Sequence, residues 1–388
     1  MNILVTKLEL SKALQLVQSA VAKRTTMPIL SNLLISAEGG LVKISASDLE
    51  LSAVAQAKAE VKSGGSTTIN AKVFGDIVRE LPDGDIRLVL TEGERLEISA
   101  KGSKFKIIGA SAEEYPTLPG LSCEAPDKLS AHLLLEMISK ALYAVSHDET
   151  RFNLNGVCFE HLVDGASEER TAKGGKGKKK DSPGALLRMV ATDGHRLALT
   201  TRPVASLSFE GRVIVPRKAL SEIRRVLELE GEKDVGIGIV DGFFILETSD
   251  FKMASRLIEA QYPDYSQVLP QQKGLLVTLN CGDLVSALRR VMLMVTDREK
   301  GVRLTFSSGS LRISSSSPEL GEATEEFPLK YEGEVLNIGF NAGYLLEVAS
   351  TLSESEGLAI ELHGEVGPGK FYAEQDEASL AIVMPMRL

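Results

Sequence analysis

Apolar residues recur along this chain in two rhythms. At spacings of three and four they fill six stretches, 8–24, 70–82, 129–147, 216–227, 283–300 and 341–353, and predict amphipathic helices there. Between the helices apolar and polar residues alternate, as in Arg95-Leu96-Glu97-Ile98-Ser99, the pattern of strands buried on one face. Glycine-bearing pairs punctuate the alternation at Glu38-Gly39-Gly40, Glu92-Gly93-Glu94, Asp241-Gly242 and Ser308-Gly309, where hairpin turns are expected.

The order helix, strands, helix, strands occurs three times. The fold class this implies is α+β, with three tandem similar domains of two helices packed on antiparallel sheets. The boundaries are expected at 1–120, 121–270 and 271–388. Two copies close alike, with EEYPTLPG at 113–120 and AQYPDYSQVLP at 260–270. Matched positions fix the registers: Asn32 with Asn155, Asp48 with Asp193, Asn70 with Pro216, then Asn155 with Gly301 and Asp193 with Ser317. The offset grows between Asn155 and Asp193 and falls back afterwards, so an insertion belongs to the second copy alone. It coincides with the low-complexity segment 163–184, in which Arg170, Lys173, Lys176, Lys178, Lys179 and Lys180 lie close together. Such a segment reads as a solvated loop able to touch nucleic acid without sequence preference.

Charge changes the picture next. Across 388 residues, 44 basic side chains face 53 acidic ones, a net charge of −9, which excludes a uniformly basic nucleic-acid coat. The three copies carry 0, −2 and −7. The six expected helices alone carry +5, leaving −14 for everything else. If the helices share a face, that face suits a phosphate backbone, with Arg24, Lys72, Arg79, Lys140, Arg217, Arg224 and Arg289 as candidate contacts. Two strands are charge-complementary: Lys101, Lys104 and Lys106 surround Phe105, while Glu319, Glu322, Glu325 and Glu326 crowd one segment of the third copy. A basic edge and an acidic edge suit a head-to-tail contact between copies, and equally suit ordinary edge protection.

Conventional chemistry is sparse. The three cysteines, Cys123, Cys158 and Cys281, are widely spaced without a CxxC, so no disulfide framework or thiolate metal site is expected. The opening MNILVTKLEL does not read as a signal peptide, and no apolar run approaches the roughly 20 residues that span a bilayer. A cytoplasmic protein without membrane partners is expected. The five histidines show no metal spacing, and Gly174-Gly175-Lys176-Gly177-Lys178 lacks the gap and hydroxyl of a P-loop, so neither metal nor cofactor is expected. Asp193 and His195, two apart in Ala191-Thr192-Asp193-Gly194-His195-Arg196-Leu197, admit two readings: an acid–base pair of a hydrolase, or a strand-to-strand turn with a satisfied polar cluster. No nucleophile or phosphate loop accompanies them, which favours the turn. The segment Ile382-Val383-Met384-Pro385-Met386-Arg387-Leu388 is unusually apolar, and its methionines suit an adaptable binding surface.

The motifs TDGHRLA at 192–198, VPRKAL at 215–220, YPDY at 262–265 and MPMRL at 384–388 closely resemble the bacterial DNA polymerase III β subunit family, the sliding clamps. So do MPILSNLLI at 27–35 and RFNLNGVCFE at 151–160, all in one register apart from the insertion near 163–184. The resemblance implies the DNA clamp fold and two chains joined head to tail into a ring around double-stranded DNA. It implies a non-catalytic processivity factor that tethers DNA polymerase III and other polymerases or repair proteins and is placed by a clamp loader. A non-encircling adaptor using the same pocket is the alternative.

The family's peptide-binding pocket maps onto Leu154, the run Thr192, Gly194, His195, Arg196 and Leu197, then Pro263 and Val268, Asn341 and Tyr344, Val366, and Met384, Pro385 and Met386. The subunit interface maps to Phe105 against Leu293 and Met294, with Lys104 and Lys106 near the Glu322–Glu325 edge, and DNA-facing positions to Arg24 and Arg151. Three departures stand out, one being the basic insertion near 163–184, which has no counterpart in the common family pattern. Phe152-Asn153 replaces a tyrosine pair familiar in relatives, and Gln267 stands where an arginine is usual.

Overall fold

The computed structural model describes residues 1–22, 25–163, 184–231, 233–296, 300–352 and 357–388. Six α-helices occur among them, each at a predicted place: α1 (Lys7–Val17), α2 (Ala71–Glu80), α3 (Ala131–Leu142), α4 (Arg217–Glu230), α5 (Cys281–Val291) and α6 (Ala342–Leu352). Four of them begin in the same way. A strand ends on a Thr or Asn whose side-chain oxygen accepts the backbone N–H two or three residues into the helix. Thr6 accepts from Glu9, Asn70 from Val73, Asn280 from Asp283, and Asn341 from Gly343 and Tyr344.

All the helices but α4, which runs on to Glu230, are shorter than periodicity predicts. α1 ends at Val17 and continues only as a 3₁₀ turn, Gln18–Ala20, and α5 gives way to Met292–Met294 in the same manner. α3 stops at Leu142, where Ala144 and Val145 donate to Ala141 and Leu142 in tightened turns.

The chain folds as two compact units, residues 1–133 with 221–257, and residues 134–220 with 258–388. The first unit holds a run of thirteen strands. It is closed at one end by Asp127–Ser130 and at the other by Glu60–Ser63. Within it, strand Leu51–Lys58 pairs antiparallel with Phe251–Arg256, Phe251 opposite Ala55, so strands from the first and second sequence copies form one sheet. In the second unit an eight-stranded sheet joins Arg196–Val204 to Asp376–Val383, Leu197 opposite Ile382, and so fuses strands of the second and third copies. A four-stranded sheet follows the order Gly321–Pro328, Ser310–Ser317, Gly301–Ser307, Leu336–Asn341. The expected glycine turns are in place, with Gly39, Gly40, Gly93, Gly242 and Gly309 all at positive φ.

Hydrogen bonding corrects one register. Ser47 Oγ accepts from Leu49 N–H, Thr192 Oγ1 from Gly194 N–H, and Ser317 Oγ from Glu319 N–H, at 3.0, 3.1 and 3.3 Å. Ser317 therefore matches Thr192, one residue from the sequence alignment to Asp193. A serine turn and an aspartate turn look alike in sequence, and only the donor pattern separates them.

Candidate functional site

The most organised polar group in the second unit is the turn Thr192–Arg196, between strands Ala185–Thr192 and Arg196–Val204. Asp193 builds it. One carboxylate oxygen accepts the N–H groups of His195 and Arg196 at 2.9 and 3.0 Å, and the other accepts Arg196 Nε at 3.1 Å. Gly194 takes a positive φ of 88°, which glycine adopts without strain, and the Arg151 guanidinium lies over it. Asp193 receives only the backbone of His195, whose ring lies stacked at 6.5 Å from Tyr344. The acid–base pair does not form, and the satisfied turn does.

Arg196 ties the turn to two helices. Its side chain is 6% exposed, donates to the Tyr143 carbonyl at 2.7 Å and to the Glu347 carboxylate, and lies 4.3 Å over the Tyr344 ring. The Tyr143 carbonyl lies just beyond α3, so a distant guanidinium caps that helix. Burial pushes the Tyr344 hydroxyl above its ordinary pKa, and the Asp193 carboxylate adds to the effect. Glu347 and Tyr143 were not foreseen from sequence. Glu347 lies three residues beyond Tyr344 on α6, the spacing that puts two side chains on one helix face, and this was the available signal.

Beneath the turn Leu154 and Leu197 are buried with Cys158, Val190, Tyr262 and Ile382. Tyr265 donates to Glu160 at 2.7 Å and receives Arg188 at 3.2 Å, which anchors the segment carrying Pro263 and Val268, both exposed. Burial, reinforced by the Glu160 carboxylate, raises the Cys158 thiol to about 12. Met384 donates its N–H to the His195 carbonyl at 2.9 Å, which brings the methionine segment against the turn. Gathered here are thus Leu154, Thr192, Gly194, His195, Arg196, Leu197, Tyr344 and Met384, with Asn341 capping the helix that presents Tyr344. Val366 is 83% exposed on the loop between strands Gly357–Leu362 and Gly369–Ala373, and its membership rests on resemblance alone.

Of the candidate phosphate contacts, Lys72 and Arg289 are exposed, Arg79 and Arg224 are exposed with local pairs to Asp76 and Glu228, and Arg217 rests against His147. Such exposed pairs are weak and leave the cations available. Arg151 reaches the Asp193 carbonyl at 3.5 Å beside exposed Phe152. Lys140 is a correction. It binds Glu136 and Asp376 at 2.7 and 2.8 Å, the same carboxylates that Arg202 holds, so its charge is cancelled inside the unit. Arg24 and nearly all of the 163–184 insertion lie outside the described residues. Asn153 reaches the Gln261 carbonyl at 3.5 Å, and Gln267 donates to Asp264 at 3.2 Å, so both departures are spent on local bonds.

The interface candidates lie on two open strand edges and on the 3₁₀ turn Met292–Met294. Strand Ser103–Ala110 pairs with Arg95–Ala100 along its length but with Gly65–Asn70 only at Gly109 and Ala110. Gly321–Pro328 is the outer strand of its sheet. Phe105 and Leu293 are exposed and Met294 is half-buried. The charges there are answered within the chain: Lys104 and Lys106 meet Glu97 at 3.2 Å, and Arg290 grips Glu325 with two bonds of 2.8 Å. Glu322 is exposed, with Ser316 Oγ at 3.5 Å.

Profiles of the DNA polymerase III beta subunit match in order: the N-terminal domain over residues 1–119, the central domain over 128–264 and the C-terminal domain over 266–387. The beta sliding clamp of Proteus mirabilis is 32% identical over the full length of both chains. The crystal structure of a Bartonella birtlesii sliding clamp bound to griselimycin superposes with a TM-score of 0.90 at 32% identity, covering 100% of both chains. A Caulobacter crescentus beta sliding clamp, with PEG bound to its proposed beta-motif tethering region, reaches 0.89 at 31% identity, covering 100% of this chain and 99% of that one. With fold, motifs and full-length similarity in agreement, this chain belongs to the DNA polymerase III beta subunit family, the beta sliding clamps.

Proposed function

We propose that this chain is a DNA sliding clamp, a non-catalytic processivity factor that encircles duplex DNA and tethers polymerases by a peptide-binding pocket. The observation that carries the reading is similarity to sliding clamps along the whole chain. Three modules, 1–120, 121–270 and 271–388, repeat the clamp unit, and two chains close head to tail. The edge at Lys104–Lys106 with Phe105 meets the edge at Glu322–Glu325 with Leu293 and Met294 of a second copy. On closure the Lys–Glu97 and Arg290–Glu325 pairs become layers of one charged seam. Lys72, Arg79, Arg151, Arg217, Arg224 and Arg289 supply a loose, sequence-independent attraction for phosphates, together with Arg24 by resemblance. Partners are double-stranded DNA, a clamp loader, the DNA polymerase III catalytic subunit and other polymerases or repair proteins carrying a short linear peptide, in the cytoplasm. No helix among the described residues is long and apolar enough to cross a membrane.

The pocket is the group around the Thr192–Arg196 turn. An aromatic wall (His195 on Tyr344), flexible methionines and a fixed guanidinium provide an apolar surface with a few polar anchors, as linear peptides require. Topological tethering is tested with loader, ATP and primed DNA: the chain remains on closed circles and is lost from linearised ones. Equal retention on both forms returns the alternative, an adaptor that does not encircle. Solution mass at micromolar concentration checks ring closure, with twice 41.8 kDa expected.

A further inference from the structure

Strand Leu336–Asn341 is an outer strand of the four-stranded sheet, paired on one side with Gly301–Ser307. Gly301 stands opposite Asn341 and Arg303 opposite Gly339, so both glycines fall on one face, in diagonal register. Neither takes a left-handed φ, so backbone freedom is not what these positions require. Space is. A Cβ on Gly301 would overlap Leu388 Cδ2. One on Gly339 would lie 2.7 and 2.8 Å from Leu388 Cγ and Cδ1, and 2.5 Å from the Met386 carbonyl oxygen.

The Leu388 side chain therefore rests on bare backbone between two strands. Met386 N–H donates to the Gly339 carbonyl at 2.8 Å, adding a ladder bond to a strand edge. Met384 N–H donates to the His195 carbonyl at 2.9 Å. The segment is thus fastened at three places, and Pro385 between the two methionines has no N–H to offer elsewhere.

We propose that Leu388, seated on the Gly301–Gly339 floor, is a positioning residue that sets Met384 and Met386 beside His195 in the peptide pocket. This rests on the reading of that group as a peptide site. Methionine is flexible and fills whatever space it is given, so an unanchored pair would sample many rotamers and lose affinity by having to be ordered on binding. The leucine removes conformational freedom from the two methionines.

The test uses the full chain, with griselimycin as probe and methyl-13C-methionine spectra as a second readout. Leu388→Ala and Gly301→Ala each weaken griselimycin binding by about tenfold or more with unchanged dimer mass and melting temperature, whereas Leu388→Met stays within about twofold of the parent. The Met384 and Met386 methyl resonances shift or broaden in Leu388→Ala. Binding within about twofold of the parent in Leu388→Ala, or weakened binding with unmoved methionine resonances, overturns the proposal. Should Gly301→Ala fail to fold, Leu388→Ala decides alone. A parent chain that does not bind griselimycin overturns the pocket reading and the functional half of this proposal, while the resonances still decide the anchoring.

Discussion

The turns Ser47–Leu51 and Thr192–Arg196 occupy equivalent places in the two units and share one backbone device. In each, a hydroxyl accepts the N–H two residues on, and an aspartate oxygen accepts two more: Asp48 from Glu50 and Leu51, Asp193 from His195 and Arg196. Each turn holds a positive φ, 76° at Leu49 and 88° at Gly194. Tyr115 receives the Ser47 N–H at 3.2 Å, and its counterpart Tyr262 lies near the Thr192 backbone without closing a full bond. A neighbouring strand even donates to the same carbonyl, Arg256 to Glu50 and Met384 to His195. What differs is side chains. The first unit places an ion pair there, Arg256 with Glu50, and buries Leu51. The second places His195 and Met384 outside and a charged Arg196 inside. The two turns keep one backbone frame and differ in the side chains mounted on it.

The largest expected effect comes from erasing that difference. Arg196→Leu, which restores the residue of the first turn, leaves Asp193, Glu347 and the Tyr143 carbonyl short of a donor. It should cost about 3 kcal/mol in denaturant unfolding and abolish binding of the linear peptide proposed for this site. Acid is the next lever, because the second unit holds the Lys140–Arg202–Glu136–Asp376 cluster. Burial alone would raise the Asp376 pKa, but bonds from Lys140 and Arg202 outweigh it and hold it at about 2. A depressed carboxylate stabilises above its unfolded value of about 4, and that contribution fades as pH falls toward about 2. Unfolding measured between those limits should therefore show a decline that Asp376→Asn flattens.

The smallest effects are the most discriminating, since matched positions should respond with opposite signs. Gly194→Ala is expected to destabilise by about 1 kcal/mol or more through its positive φ and the approach to Arg151, and to disturb the site. Leu49→Gly, at the same place in the first turn, should stabilise by about 0.5 kcal/mol by relieving a left-handed leucine. Two changes of the same sign in thermal unfolding would dissolve the equivalence.

The helices, the hairpins and the turn at Asp193 were legible because each is written in residues close together in sequence. Local spacing could not show that Arg196 caps α3, which is why that helix reads as running to His147 yet stops at Leu142. Nor could it show Lys140 bound to Asp376, because those two residues lie 236 positions apart and meet only in the folded chain. The glycines at 301 and 339 were silent for the same reason: a missing side chain acquires meaning only when another residue fills its place.

The sharing of the second copy's strands between two sheets has a practical corollary. Trimming the molecule after residue 120 would strip Phe251–Arg256 from Leu51–Lys58, and trimming after 270 would strip Asp376–Val383 from Arg196–Val204. Either fragment would carry a raw ladder of unsatisfied amides and carbonyls into solution, and would be expected to clump. For protein engineering, the natural severing points of this fold do not coincide with its duplicated sequence segments.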